Sequence, residues 1–150
     1  MNIEYSAIGE FHTSLSAGSG APRQGTLQPE NKGTIEICEK YLEALDGLEN
    51  YDYIIVLYHM HMSGKWHARV RPPGSTKPFG LFATRSPNRP NPIGFGVIKL
   101  ESIEGTTLHV SGIDAYDGTP VLDIKPWLPS IDCPVDEILP DVEKDLGIKK

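Results

Sequence analysis

The run from Ile93 to Ile113, IGFGVIKLESIEGTTLHVSGI, decides the fold class of this chain. It contains two strand-like segments, Ile93–Ile103 and Thr107–Ile113, which are rich in Ile, Val, Leu and Thr. The segments are joined at Glu104-Gly105, a pair that favours a hairpin turn. Because strands joined so directly are typical of the meander from which β-barrels are built, we expect a mainly β architecture.

The rest of the chain indicates the same architecture. Thirteen prolines and fifteen glycines among 150 residues favour short strands and turns over long helices. Tyr53–His61 contains neither Gly nor Pro and is apolar on both faces, which predicts a central strand. Alternation puts Tyr58 and Met60 on one face of it and His59 and His61 on the other. We also expect strands at Ile3–Ile8, Thr34–Ile37, Phe79–Thr84 and Val121–Ile124, and short helices at Glu39–Leu45 and Asp136–Leu146.

Length and composition restrict the class of protein. A chain of 150 residues matches one domain, so we predict a single domain over residues 1–150. No stretch approaches the roughly 20 apolar residues that a membrane-spanning helix needs. The first residues, MNIEY, include neither a basic nor an apolar run and are not typical of a signal peptide. We therefore expect a cytoplasmic protein that does not associate with a membrane.

The net charge of −6 hides a segregation of charge along the chain. Between Tyr53 and Leu100 there is no Asp or Glu, although this segment holds seven of the fourteen Lys and Arg. Such a segment can build one positive face on an acidic protein, and a nucleic acid would bind to that face. The alternative is that these cations pair with carboxylates from elsewhere in the fold.

Two loops carry groups suited to ligand binding. Arg85–Pro92 contains three prolines, so its backbone is stiff, and its arginines and asparagines can bind a carboxylate, a phosphate or a base. Asp114–Pro120 combines two carboxylates with an aromatic ring and a tight turn, a set that can bind a cationic ligand. By composition alone, both loops are equally compatible with ordinary connections between strands.

These motifs together resemble the tRNA (N6-threonylcarbamoyladenosine) methyltransferases of the TrmO type. The matching segments are VRPP at 70–73, FATRS at 82–86, NRPNPIG at 88–94, and DGTPV through DIKP at 117–126. Pro22-Arg23-Gln24 and His59 also fall in the family's order, and the similarity extends over nearly the whole chain.

The resemblance implies a closed single-sheet β-barrel of six or seven strands with one or two short helices. It implies N6-methylation of threonylcarbamoyladenosine at position 37 of tRNA, with S-adenosylmethionine as the cofactor and a homodimer whose cofactor site lies near the subunit interface. The implied cofactor-binding residues are Pro22, Arg23, Gln24, His59, Met60, Arg85, Asp114, Ala115, Tyr116, Asp117, Gly118 and Thr119. For the tRNA, the expected binding residues are Arg69, Arg71, Asn88, Arg89 and Asn91.

Methyl transfer from a sulfonium depends mainly on alignment, because the leaving group is already activated. The acceptor nitrogen is delocalised into a ring and a carbonyl, so a base or dipole that orients its N–H would help. Asp114, Asp117 and His59 are the candidates for this catalytic role.

Two other functions stay open at this point. Without the resemblance, His59 and His61 on one strand face, with His67 nearby, could bind a metal ion in a barrel enzyme, although we expect no metal. A non-enzymatic RNA-binding barrel could instead use Tyr58, Trp66 and Phe79 as stacking surfaces beside the basic segment.

Overall fold

The computed structural model describes residues 1–18, 24–133 and 140–148 of the chain. Contacts divide these residues into two units. The first unit comprises Met1–Met62 and Ile93–Trp127, and the second comprises Ser63–Pro92 and Leu128–Lys150.

Strands dominate the first unit and close into a barrel. The strands among the described residues are β1 (Gly9–Thr13), β2 (Lys32–Ile37), β3 (Tyr53–His59), β4 (Arg69–Val70), β5 (Phe79–Gly80), β6 (Ile93–Glu104), β7 (Thr107–Ser111) and β8 (Pro120–Pro126). Six of them form the closed barrel in the order β1-β2-β7-β6-β3-β8, with every pair antiparallel. The predicted mainly β, single-sheet barrel is confirmed.

The hairpin predicted between β6 and β7 is present. Gly105 adopts a φ of 61°, in the left-handed region that glycine enters without steric penalty. The twelve-residue β6 pairs with β3 from Ile93 to Lys99 and with β7 from Lys99 to Glu104. Its register with β7 shifts between Leu100 and Ser102, an irregularity of the kind that bends a strand around a barrel.

Alternate residues of the strands fill the barrel interior. In β3, Ile54, Val56 and Tyr58 are buried while Tyr53 and His59 are exposed, as period two predicts. Both edges of β3 are paired, so its central position is confirmed. The largest fully buried side chains are Phe11, Ile35, Ile54, Val56, Leu108, Val110, Ile113 and Val121.

The first strand was predicted at the wrong residues, directly before its true position. Ile3–Ile8 is not a strand, and Ile3 is 68% exposed; β1 begins at Gly9 instead. A Cβ on Gly9 would lie 2.2 Å from the backbone oxygen of Glu36 in β2, so only glycine permits this close approach. Sequence patterns treat such a glycine as a boundary, which explains the error.

Other predicted boundaries also change. β3 ends at His59, two residues early, because His61 N donates to His59 O in a tight turn. The strand predicted at Phe79–Thr84 is paired only over Phe79–Gly80, and Leu81–Ala83 forms a single 3-10 turn. This turn is closed by Thr84, whose backbone N and hydroxyl both donate to Leu81 O.

The helices are short. Glu39–Leu45 is a 3-10 helix, as is each of the brief turns at Gly25–Leu27 and Leu48–Asn50. The second unit contains α1 (Pro129–Asp132) and α2 (Pro140–Asp145); residues 136–139 of the predicted Asp136–Leu146 helix lie outside the described residues. Among residues 1–18, 24–133 and 140–148, no helix has the length and apolar character needed to cross a membrane.

Candidate active site

Asp114 is the centre of the candidate site in the first unit. After β7 the chain turns at Gly112, which has a φ of 72°, and Asp114 follows the buried Ile113. Its half-buried carboxylate accepts a hydrogen bond from Tyr58 Oη at Oδ1, 2.6 Å away. Gln24 Nε2 donates to the other oxygen, Oδ2, at 3.4 Å. Two side chains from distant parts of the sequence therefore orient one carboxylate.

Tyr58 reaches Asp114 because of the residue opposite it in the sheet. Tyr58 points into the barrel from β3 and meets the ring of Phe11 edge to face, with centroids 5.6 Å apart. Gly94 is its cross-strand partner in β6, and a Cβ there would lie 2.1 Å from the tyrosine ring. The ring occupies the space that any other side chain at position 94 would need. A tyrosine hydroxyl inside a barrel requires a polar partner, and here the partner is Asp114.

A second close approach of backbones positions Gln24. Gly25 is buried, and a Cβ there would lie 1.8 Å from Gly112 O. The turn that begins at Gln24 therefore packs against Gly112, which directly follows β7 and lies two residues before Asp114. Pro22 and Arg23, also expected in the cofactor site, lie outside the described residues.

The loop from Asp114 to Thr119 is tied to the end of β1. Asp117 Oδ1 accepts from the backbone N of Thr13 at 3.1 Å, and Thr13 Oγ1 donates to Ala115 O at 3.1 Å. Gly118, with a φ of 76°, donates its N–H to Phe11 O at 2.8 Å. These bonds fix the loop backbone, while the side chain of Asp117 remains 62% exposed and Tyr116 half-buried.

The histidines of the predicted site differ in their surroundings. His61 Nδ1 lies 3.4 Å from the hydroxyl of Thr119, which is buried. His59 is exposed on the outer face of β3, opposite to the face that carries Tyr58, and Met60 packs against the core. Within the described parts of the chain, no group of three or more His, Cys, Asp or Glu side chains could hold a metal ion. These residues lend no support to the alternative metal site.

Comparison with known proteins identifies the family. Residues 10–133 match the family described as tRNA-methyltransferase O N-terminal domain. The chain belongs to this family. The resemblance drawn from the sequence motifs is therefore confirmed.

Relatives of the tRNA-methyltransferase O family differ in length. An S-adenosyl-L-methionine-binding protein of Archaeoglobus fulgidus is 43% identical over 126 residues, which make up 84% of this chain and 90% of the relative. A tRNA (adenine(37)-N6)-methyltransferase of Rattus norvegicus is 37% identical over 140 residues, 89% of this chain and 32% of the rat protein. The crystal structure of TrmO from Pseudomonas aeruginosa is 38% identical, with a TM-score of 0.78 over 92% of this chain and 61% of that one. The chain thus spans about three fifths of the solved TrmO chain and a third of the rat protein.

The remaining family motifs lie in the second unit. Arg89 is bound within its own loop, where Nη1 donates to the carbonyls of Thr84 at 2.9 Å and Ser86 at 3.3 Å. Asn88 Oδ1 accepts from Gly64 N at 2.7 Å. Both side chains therefore brace the loop in addition to any role in binding. The other candidates, Arg69, Arg71, Arg85 and Asn91, are all exposed.

The structure brings some of the predicted site residues together. Gln24 and Asp114 are hydrogen-bonded, and Ala115 to Thr119 continue the same fixed loop. Sequence reasoning missed Tyr58 as the partner of Asp114, although alternation placed it on the β3 face opposite His59 and a buried tyrosine hydroxyl implies a polar partner. Because Tyr58 is only 6% exposed, it is not a stacking surface for RNA.

Proposed function

We propose that this chain is an S-adenosylmethionine-dependent methyltransferase that methylates N6 of adenosine 37 in tRNA. Its substrate nucleoside is threonylcarbamoyladenosine, and it works in the cytoplasm as a homodimer. The observation that carries the proposal is the oriented Asp114 carboxylate, held by Tyr58 and Gln24 in a chain of the tRNA-methyltransferase O family.

The residues at this end of the barrel fit such a cofactor. S-adenosylmethionine carries an ammonium group, an adenine amine and a sulfonium. A carboxylate attracts the two cationic groups and accepts hydrogen bonds from the N–H groups of the ammonium and the amine. A carboxylate can accept about four hydrogen bonds. Asp114 and the exposed Asp117 place two carboxylates in one loop, and the half-buried Tyr116 lies between them in sequence. An aromatic face can in addition contact a cation.

The chain's own groups orient the reactants. The bound cofactor supplies a methyl group already activated for transfer. Asp114, whose two oxygens are fixed by separate donors, accepts a hydrogen bond from the N–H of the acceptor nitrogen and takes up its proton when that nitrogen is methylated. The rigid loop keeps Asp117 within reach of a cationic group. Fixing these groups before the ligand binds avoids reorganisation during the reaction.

Positive charge in the second unit supports an RNA substrate. Ser63–Pro92 contains six Lys and Arg and no Asp or Glu. Of these cations Lys77 pairs with Asp145 at 2.8 Å, and Arg69 donates to Pro78 O at 3.5 Å. Lys65 and Arg71 make no ion pair or side-chain hydrogen bond with the described part of the chain. Such cations are available for phosphate.

An apolar surface outside the barrel supports the homodimer. On the outer faces of the paired strands β3 and β6, Tyr53, Ile93 and Phe95 are 41%, 45% and 42% exposed. Ile55 and Val97, which are cross-strand partners, are half-buried on the same face. Contiguous exposed apolar side chains of this kind mark association surfaces. Light scattering on the purified chain should give twice the mass of 16.5 kDa, and Phe95→Asp should shift it to the monomer.

Methyl transfer tests the main proposal. Purified protein is incubated with methyl-labelled S-adenosylmethionine and tRNA that either carries or lacks the threonylcarbamoyl group. We expect label only in the modified tRNA. Absence of transfer to modified tRNA would overturn the proposal, and equal transfer to both would overturn the proposed nucleoside.

The role of Asp114 has a matched control. Asp114→Asn should lower the transfer rate about 100-fold, which is the order of the rate contribution of a positioned general base. Asp123→Asn removes a carboxylate that pairs with Lys125 on β8, outside the loop, and should leave the rate unchanged. If both variants keep full rate and normal cofactor affinity, Asp114 has no part in the reaction.

A further inference from the structure

An apolar cavity with an exposed aromatic rim lies within the second unit. Its volume is about 300 Å³, at the lower end of the range for small-ligand pockets. Trp66, Leu81, Phe82 and Pro90 line it. Phe82 is 80% exposed and Trp66 is 47% exposed, although large aromatic side chains are usually well buried. Two such rings at one cavity mark a binding surface rather than a core.

The rings are held outward by the local fold. Leu81 is 4% exposed and anchors the 3-10 turn, so the next residue, Phe82, points away from the interior. Leu81 N donates to Ala68 O at 2.9 Å, which joins the turn to the segment that carries Trp66. A rigid turn presents the Phe82 ring with little loss of entropy when a ligand binds.

Positive charge lies beside the Phe82 ring. The Arg89 guanidinium lies 5.7 Å from the centroid of the Phe82 ring, and the carbonyls of Thr84 and Ser86 hold it there. No carboxylate occurs in Ser63–Pro92, the segment that lines the cavity. Aromatic rings beside a fixed cation, on a segment without acidic residues, are typical of sites that stack the bases of single-stranded nucleic acid.

We propose that Phe82 and Trp66 form a stacking site for an unpaired nucleobase of the RNA substrate, with its phosphates near Arg89. The inference rests on the proposed tRNA substrate. The base lies over the apolar cavity and stacks on the Phe82 ring, while Arg89 contributes positive charge beside it. Because stacking uses the face of a base, this site contributes affinity for an open loop without reading its sequence.

Binding of a tRNA anticodon stem-loop, measured by fluorescence anisotropy at fixed salt, tests this site. Phe82→Ala should weaken binding on the order of 10- to 100-fold, the range for loss of one base–aromatic stack. Phe82→Tyr should bind as the parent does. Phe82→Leu keeps apolar volume without a π face and should behave like the alanine variant. Because Phe82 is exposed, none of these changes should unfold the protein.

A fluorescent base analogue reports stacking directly. A stem-loop with 2-aminopurine in the loop should be quenched on binding the parent protein and less so on binding Phe82→Ala or Trp66→Ala. Cofactor affinity, measured by calorimetry, should stay the same in both variants.

The outcomes separate this inference from the proposed function. If the parent methylates tRNA and the Phe82 and Trp66 variants bind the stem-loop within twofold of it, the stacking site is overturned alone. If the parent binds the stem-loop through Phe82 but transfers no methyl group, the stacking site stands and the proposed activity fails. If the Phe82 variants change the mass in light scattering while RNA binding is unchanged, the surface contacts a second protein copy and the inference is wrong.

Discussion

Tyr58→Phe removes one hydroxyl from the barrel interior and leaves the ring in place. The lost hydrogen bond, from Oη to Asp114 Oδ1 at 2.6 Å, has a charged acceptor, and such bonds contribute about 1.5–3 kcal/mol to stability. Asp114 is only half-buried and keeps its bond from Gln24, so we expect the lower figure, about 1.5 kcal/mol. For a domain of this size that corresponds to a fall in Tm of about 3–6 °C.

The same change should slow methyl transfer. If the orientation of Asp114 is used only in the transition state, a loss of about 1.5 kcal/mol lowers kcat roughly tenfold. Thermal unfolding and a labelled-methyl assay on the same preparation measure the two effects. Tyr41→Phe is the matched control, because the Tyr41 ring also packs against the core and its hydroxyl makes no hydrogen bond with the described residues.

A double-mutant cycle gives the strictest version of this test. Tyr58→Phe combined with Asp114→Ala should cost less than the sum of the two single changes, since both remove the same bond. Additive effects, or a Tyr58→Phe protein with the stability and rate of the Tyr41→Phe control, would refute the argument that Tyr58 orients the Asp114 carboxylate.

Three further predictions follow from single contacts. Gly94→Ala should destabilise by about 1–3 kcal/mol in urea unfolding, because its Cβ would lie 2.1 Å from the tyrosine ring, whereas Gly96→Ala, 3.4 Å from its nearest neighbour, should change stability much less. Hydrogen bonds from the hydroxyls of two threonines, Thr106 first, hold the pKa of Glu36 below its ordinary value of 4.5. Their stabilisation is present above pH 4.5 and lost as pH falls through the folded-state pKa. Glu36→Gln should therefore be less stable than the parent at pH 7, and the difference should decrease as the pH falls below 4.5. Arg71→Ala should weaken tRNA binding and reduce the slope of log K against log salt concentration by about one unit. An unchanged slope would show that Arg71 does not contact phosphate.

Alternation and turn chemistry were sufficient to predict most of the barrel. The β6–β7 hairpin and the two faces of β3 followed from period two and from Gly105 alone. The position of β1 did not, since it depends on Gly9 lying against the backbone of β2, a contact between residues far apart in sequence. The 3-10 turn at Leu81–Ala83 was missed for a different reason, because the local hydrogen bond from the Thr84 hydroxyl that closes it is not visible in a strand pattern.

The candidate site was predicted unevenly. The motif resemblance picked out the Asp114–Thr119 loop, and spacing showed that two carboxylates share it. The hydrogen bond that orients Asp114 could not be predicted from the sequence, because Tyr58 is 56 residues away and meets Asp114 only when the barrel closes. Gly94, which leaves room for the tyrosine ring, looks in sequence like one more glycine in a strand.

The charge pattern agrees with the proposal that a chain of net charge −6 binds both a cationic cofactor and RNA. At physiological ionic strength the Debye length is about 8 Å, so exposed charges act on ligands near them and the net charge of the chain matters little for binding. In the proposed function, the loop that carries Asp114 and Asp117 attracts a sulfonium or an ammonium group, whereas Ser63–Pro92 attracts phosphate. Each proposed ligand therefore meets the local charge that it requires, and the net charge of the whole chain predicts neither interaction.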